Sequence, residues 1–280
     1  MLLSIITINY NDSLGLEETI KSVESQTYND FEFIIIDGNS TDGSKDIIEK
    51  HKKSFSFCVS EDDTGVYNAM NKGIRASKGD FLFFLNSRDT FYNSNTLELV
   101  CEYLNKGLDI YYGNVVLGGK TNKKGKVIIP PKILTFDYFL KKTLPHQSTF
   151  IKKTLFDTVF YYNEDFKIVS DWEFFINAIC KFNASYCHIN IPISYYDGTG
   201  ISSLKENNKL FSKELEISLN KHFPLFIKDY KEFKTSNDIL QSNRFKMLLE
   251  LEKSKISKKI NSLVLRILLK LFRGKNIKEL

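Results

Sequence analysis

A chain of 280 residues that is 42% hydrophobic and 14% aromatic can bury a substantial core, which excludes a disordered polymer. Its net charge of +5 is unevenly placed: residues 205–280 hold 18 Lys and Arg against 9 Asp and Glu, an excess of 9 that leaves residues 1–204 at −4. The cysteines Cys58, Cys101, Cys180 and Cys187 form no C-x-x-C pair and are too sparse for a disulfide scaffold, so they are expected to be reduced thiols of a cytoplasmic protein. No apolar run is long enough to span a bilayer, and Leu2-Leu3-Ser4-Ile5-Ile6-Thr7-Ile8 lacks the basic region that opens a secretory signal.

Leu2–Ile8 and Phe31–Ile36 are short Ile-rich runs that predict strands. Leu16, Ile20 and Val23 lie between them at helical spacing and predict a helix over Leu16–Gln26. The unbroken Phe33-Ile34-Ile35-Ile36 fits a strand covered on both faces, and it ends in the polar cluster Asp37-Gly38-Asn39-Ser40-Thr41-Asp42-Gly43-Ser44. A helix over Ser44–His51, a strand at Phe57-Cys58-Val59, a helix over Gly65–Ala76 and a strand at Asp80–Leu85 complete residues 1–90 as a parallel α/β sheet. Ligands of such sheets bind beyond the carboxyl ends of the strands, so Thr7, Asn9, Asp37 and Asp89 are expected to be neighbours.

Further on, helices are predicted over Ser94–Leu104 and Asp171–Phe182, with a turn-rich stretch at Gly118–Gly125 and a break at Pro130-Pro131. There is no internal repeat, and from residue 206 the chain is polar and helix-prone. The expected organisation is a domain over 1–205 and a helical region over 206–280.

Each polar segment admits a chemical and a plainer reading. Asp37 can accept a hydrogen bond from a nucleobase N–H, or Asp37 and Asp42 can make turns and cap the next helix. Lys72 and Arg75 can offset phosphate charge, or lie on a solvated helix face, with Gly73 marking a close helix approach. Leu85-Asn86-Ser87-Arg88-Asp89 ends a buried strand in an oxygen-rich turn suited to Mg²⁺ or Mn²⁺, or is a surface turn capped by Asp89. His146, in Pro145-His146-Gln147-Ser148, is a candidate ligand or hydrogen-bond donor, or a structural histidine. Asp171 and Glu173, beside Trp172, are a candidate base pair of carboxylates, or they serve the start of a helix.

Taken in order, Thr7-Ile8-Asn9-Tyr10, the loop Asp37–Ser44, the segment Asp63–Ile74, Asn86–Asp89, His146-Gln147 and Ser170-Asp171-Trp172 resemble family 2 glycosyltransferases of the GT-A fold. The similarity spans residues 2–202 and is nearest to bacterial enzymes that build O-antigen, capsule or colanic-acid-like repeat units. It implies an α/β mixed sheet flanked by helices, of Rossmann-like GT-A type, with a helical C-terminal extension. It implies a nucleotide-diphosphate sugar as donor, UDP being the commonest nucleotide.

The resemblance further implies that Thr7, Asn9, Tyr10, Asp37, Asp63 and Asn71 line the donor pocket with Lys72 or Arg75 nearby. Asn86, Arg88 and Asp89 occupy the metal motif, Asp89 and His146 are the implied ligands of Mn²⁺ or Mg²⁺, and Asp171 is the catalytic base of an inverting displacement. Relatives present two or three acidic residues there, or Gly where this chain has Arg88. Either Asp89 holds the ion with diphosphate oxygens, His146 and water, or Arg88 partly replaces it; the expectation is that metal is retained. The segment Asp197-Gly198-Thr199-Gly200-Ile201-Ser202 resembles a glycine-rich loop that closes over the diphosphate, or turns the chain.

In the tail, Ile256, Ile260, Leu263, Val264, Ile267, Leu268 and Leu271 fall on one side of a helix, with Lys258, Lys259, Arg266, Lys270 and Arg273 opposite. This is the signature of an in-plane membrane helix, and equally of a helix docked on protein. With the resemblance it implies a lipid-linked glycan acceptor at the cytoplasmic face of the inner membrane; association with further copies stays open. Nucleic acid is not an expected partner, for no basic-aromatic motif is present. The alternatives are a nucleotide-sugar-binding subunit without catalysis, suggested by Asn86 and Arg88, and a nucleotidyltransferase, disfavoured because no Gly-rich phosphate loop follows Ile8.

Overall fold

The computed structural model describes residues 2–118, 125–198, 200 and 207–273. The chain begins β1 (Leu3–Asn9), α1 (Ser13–Glu24), β2 (Phe31–Asp37), α2 (Ser44–Lys50), β3 (Phe57–Ser60), α3 (Val66–Ala76), β4 (Phe81–Phe84) and β5 (Thr90–Phe91). It continues α4 (Thr96–Leu104), β6 (Ile110–Leu117), β7 (Lys126–Ile128), α5 (Phe136–Phe139), β8 (Thr149–Lys152), α6 (Thr154–Thr158), α7 (Ser170–Cys180) and β9 (Tyr186–Tyr196). The helices α8 (Asn208–His222), α9 (Pro224–Gln241), α10 (Asn243–Glu252) and α11 (Lys255–Arg273) follow.

The sheet order is β3-β2-β1-β4-β8-β6-β9-β5, with β7 paired to β6. The first four strands run parallel, and β4–β8, β8–β6 and β9–β5 are antiparallel, so the sheet is mixed. Register decides what meets at its end: Asn9 lies opposite Asp37, and Asp37 lies opposite Ser60, so three polar side chains form a row across β1, β2 and β3. Further strands carry Phe83 and Phe150, whose rings stack 4.4 Å apart in the core.

Local chemistry explains the helix ends that border the site. Asp12 caps α1 by accepting the Gly15 N–H at 3.3 Å, while Leu16, Ile20 and Val23 are buried. Gly73 in α3 marks a close approach to β1, because a Cβ there would stand 2.5 Å from Ile6 Cγ2.

The chain divides into two compact units, residues 1–218 and 219–280, so the division falls inside α8. In the second unit Pro224 opens α9, Ser242 caps α10 by accepting the Phe245 N–H, and α11 exposes Ile256, Ile260, Leu263, Val264, Ile267, Leu268 and Leu271. Among the described residues no helix is long and apolar enough to cross a membrane. Residues 119–124 of the predicted turn, and Thr199, Ile201 and Ser202 of the glycine-bearing loop, lie outside the described residues.

Candidate active site

The row at the ends of β1, β2 and β3 is organised around Asp37, whose side chain is wholly buried. Its Oδ1 accepts from Asn9 Nδ2 at 2.7 Å and Ser40 Oγ at 2.6 Å, and its Oδ2 accepts from the Ser40 N–H at 3.0 Å and Ser60 Oγ at 2.5 Å. Burial raises the Asp37 carboxyl, but the bonds from Ser40, Ser60 and Asn9 outweigh it and hold the group below its ordinary value of 3.8. A carboxylate with four donors has its acceptor capacity filled, so Asp37 ties β1, β2 and β3 and the Ser40 turn together at this end of the sheet.

Thr7 is likewise buried, its hydroxyl donating to the Leu85 carbonyl at 2.7 Å. Next to the row, the backbone at Gly38 is closely covered: a Cβ there would stand 2.6 Å from Asp63 Oδ2 and 3.1 Å from Tyr10 Cδ2. Tyr10 is 68% exposed, and Asp63 Oδ1 accepts the Gly65 N–H, so an exposed aromatic ring and a carboxylate meet over this glycine.

On helix α3, the basic residues Lys72 and Arg75 are both paired within the protein. Lys72 Nζ donates to the Asp62 carbonyl and pairs with Glu61 Oε1, each at 2.8 Å. Arg75 lies over the Tyr161 ring with Glu164 Oε1 3.8 Å away. Asn71 is buried and pins the chain beyond α6: it donates to the Tyr162 carbonyl and Glu164 Oε1 and accepts the Tyr162 N–H.

A second polar group gathers around the end of β4. Ser87 Oγ donates to Asn9 Oδ1 at 2.7 Å, joining this turn to the Asp37 row. The neighbouring Asn86 Nδ2 lies 3.2 Å from His146 Nε2, His146 Nδ1 lies 3.4 Å from Asp171 Oδ2, and Tyr67 OH donates toward Asp171 Oδ1 at 3.0 Å. Asp171 sits in the first turn of α7, where the helix dipole favours a carboxylate. As placed, Asn86 Nδ2 donates to Nε2, which leaves the His146 proton on Nδ1, facing Asp171. Burial lowers the His146 imidazole, but the Asp171 hydrogen bond and the charges of Asp171 and Asp89 raise it above 6.5 overall.

Asp89 is buried, among the described residues its carboxylate accepts the Asp197 N–H at 3.2 Å, and burial pushes its carboxyl up to about 7. The Asp197 backbone begins the glycine-bearing loop, so Asp89 tethers it. Arg88 adopts φ +74° and turns away to make a bidentate pair with Asp12, Nε at 2.7 Å and Nη2 at 2.9 Å. Gly15 accommodates this pair, since a Cβ there would meet Arg88 Cγ at 2.3 Å.

Of the four expected neighbours, Asn9 and Asp37 are thus bonded directly, whereas Thr7 faces Leu85 and Asp89 faces Asp197. Residues 4–165 match the family model Glycosyl transferase family 2.

The chain belongs to that family.

It is therefore a glycosyltransferase, and the relatives agree. A PGL/p-HBAD biosynthesis glycosyltransferase of Mycobacterium bovis (strain BCG / Pasteur 1173P2) is 30% identical over 224 residues, 77% of this chain and 84% of that protein. Two solved structures show the same fold at lower identity. Staphylococcus aureus TarS 1–349 in complex with UDP-GlcNAc superposes with a TM-score of 0.62 at 18% identity, over 80% of this chain and 68% of that one. The mannosyltransferase PcManGT from Pyrobaculum calidifontis in complex with GDP-Man and Mn²⁺ gives 0.58 at 13% identity, over 98% and 88%. The fold is GT-A.

A divalent cation in this glycosyltransferase would find an incomplete donor set that fits it. Among the described residues Asn86 Oδ1 is buried and has no hydrogen-bond partner, and it belongs to the amide whose other end meets His146. Such an oxygen, with the Asp89 carboxylate, suits a hard ion. Among the described residues no three His, Cys, Asp or Glu are gathered as a cage, so donor diphosphate oxygens would complete the shell.

Several residues that build the site escape the sequence reading. Ser40 carries a weak signal, three residues after Asp37, a common spacing for a turn that returns a hydroxyl to a carboxylate. Tyr67, Ser60 and Glu164 carry none, because their partners Asp171, Asp37 and Asn71 are remote in sequence.

Proposed function

We propose that this glycosyltransferase moves a sugar from a nucleotide-diphosphate donor, UDP-linked in our reading, to a hydroxyl of a lipid-linked oligosaccharide in bacterial surface-glycan synthesis, with inversion. The observation that carries the reading is the placement of Asp171: its carboxylate stands at the head of α7, bonded to Tyr67 and His146, in a polar chain that reaches Asn86 beyond the end of β4.

Tyr10, Gly38 and Asp63 would receive the nucleoside, resting on the Asp37 row. Asp171 takes the proton of the acceptor hydroxyl as that oxygen bonds to the anomeric carbon. The bond from that carbon to the diphosphate breaks, and its electron pair leaves with the nucleotide. Mn²⁺ or Mg²⁺, held by Asp89 with Asn86 in place of the expected His146, whose ring nitrogens face Asn86 and Asp171, would neutralise charge on the departing diphosphate. Its presence in the PcManGT complex supports the requirement.

Thermal shift against a panel of nucleotide-sugars, with Mn²⁺ or EDTA, identifies the donor, and UDP release measures turnover. Asp171→Asn is expected to lower turnover about 10³-fold while UDP still binds; turnover at the wild-type rate would sink the base assignment. Tight UDP binding by the wild type without any turnover would favour a subunit without catalysis.

For the basic amphipathic α11 we propose in-plane binding at the cytoplasmic face of the membrane, supported by its exposed apolar stripe beside Lys258, Lys259, Arg266 and Lys270. Vesicles containing anionic lipid should float the full chain and not a chain ending at Ser254. Equal flotation of both would remove the tail from membrane binding.

A further inference from the structure

Beyond the matched residues 4–165, α8 carries a carboxylate in an unusual position. Glu214 is 4% exposed in mid-helix, where an acidic residue is rarely buried without partners. Its partners are three consecutive backbone N–H groups: Oε1 accepts from Lys167 at 2.8 Å, and Oε2 accepts from Ile168 at 3.0 Å and Val169 at 3.3 Å. All lie in the first compact unit.

Those three residues are the footing of α7. The Ile168 carbonyl accepts from Tyr67 OH at 2.7 Å, and the Val169 carbonyl accepts the Glu173 N–H at 2.8 Å in the first turn of the helix. Every backbone polar group of Ile168 and Val169 is therefore engaged, from α8, α3 and α7 together. Asp171 stands two residues further on, and the same Tyr67 hydroxyl reaches its Oδ1. A hydroxyl has one proton for two acceptors, so the place of the Ile168 carbonyl bears on how Tyr67 meets Asp171.

We infer that Glu214 is a positioning residue for Asp171, holding the 167–169 peptides so that the first turn of α7 presents its carboxylate to the acceptor. The inference rests on Asp171 being the base. It makes the first half of α8 part of the catalytic unit, although the segment adds no group that touches substrate.

The test uses the full chain, UDP as binding probe by calorimetry, and UDP release from a panel of UDP-sugars as the reaction. Glu214→Gln keeps one accepting oxygen for Ile168 and Val169 but turns an amide NH₂ toward the Lys167 N–H. We expect kcat to fall about tenfold in Glu214→Gln and about a hundredfold in Glu214→Ala, since a shift of about 1 Å in a reacting group has effects of that size. UDP affinity and donor KM should stay within about twofold in both.

Because Tyr67 holds the same peptide, Glu214→Gln combined with Tyr67→Phe should lose less than the product of the single losses. Wild-type kcat in Glu214→Gln, a multiplicative double variant, a parallel loss of UDP affinity, or failure of Glu214→Gln to fold would each overturn the inference. If Asp171→Asn turns over normally, the base reading has failed. If Asp171→Asn is inactive and Glu214→Gln is unaffected, the positioning role alone has failed.

Discussion

Asp37 and Asp89 are both buried carboxylates beyond the ends of parallel strands, and they are supplied in opposite ways. Asp37 has four protein donors and keeps its charge, with its carboxyl held below 3.8. Among the described residues Asp89 has the Asp197 N–H, and burial pushes its carboxyl up to about 7. The first region is complete within the protein. The second is electrostatically unfinished, and a cation would complete it.

Removing the finished carboxylate should have the largest effect on stability. Asp37→Ala strands the Asn9 amide and the Ser40 N–H, and should cost about 3 kcal/mol in urea unfolding. A loss below about 1 kcal/mol would break the contrast at its first term. The sign with pH follows from the lowered carboxyl: its stabilisation is present above the unfolded value of 3.8 and is lost as pH falls through the folded one. The gap between wild type and Asp37→Ala should therefore narrow only below about pH 4.

Asp89→Asn should act in the other direction. A folded carboxyl raised to about 7 binds more protons than the unfolded one at 3.8, so its cost is absent below about pH 4 and complete above about pH 7. With EDTA at pH 8 the variant should be about 2 kcal/mol more stable than wild type, and equal to it near pH 4. With Mn²⁺ its turnover should nevertheless fall at least about a hundredfold. Stability unchanged at pH 8 would show that Asp89 is already satisfied.

A smaller effect is expected at Gly38. Gly38→Ala should weaken UDP binding about tenfold with a stability change under about 1 kcal/mol, because the added methyl meets the mobile ends of Asp63 and Tyr10. Unchanged UDP affinity would move the nucleoside elsewhere. Smallest of all, Arg88→Gly gives up an exposed pair with Asp12 and relieves a residue at φ +74°. The net change should stay below about 1 kcal/mol, with UDP affinity within about twofold. A large loss of UDP affinity would return Arg88 to the donor site.

Residues 2–85 were legible because apolar period and turn chemistry agree there: unbroken Ile and Phe runs, helical spacing at Leu16, Ile20 and Val23, and Gly43 and Gly65 before helices. The second half of the sheet, which mixes antiparallel pairs with the parallel β6–β9 pair, was not. β8 has four residues, β5 has two, and β9 is irregular around a bulge against β6, so period carries little signal. At the site, the residue types stood out but their partners did not. Lys72 and Arg75 suggest phosphate from charge alone, yet they pair with Glu61 and Glu164. Glu214 looks like a surface helix residue until its three N–H donors are seen.

The most direct test of the unfinished second region is UDP binding by calorimetry with Mn²⁺ or with EDTA, in wild type and Asp89→Asn. Mn²⁺ should tighten UDP binding at least about tenfold in wild type and by less than about twofold in Asp89→Asn. Equal UDP affinity with Mn²⁺ and EDTA in the wild type would contradict it.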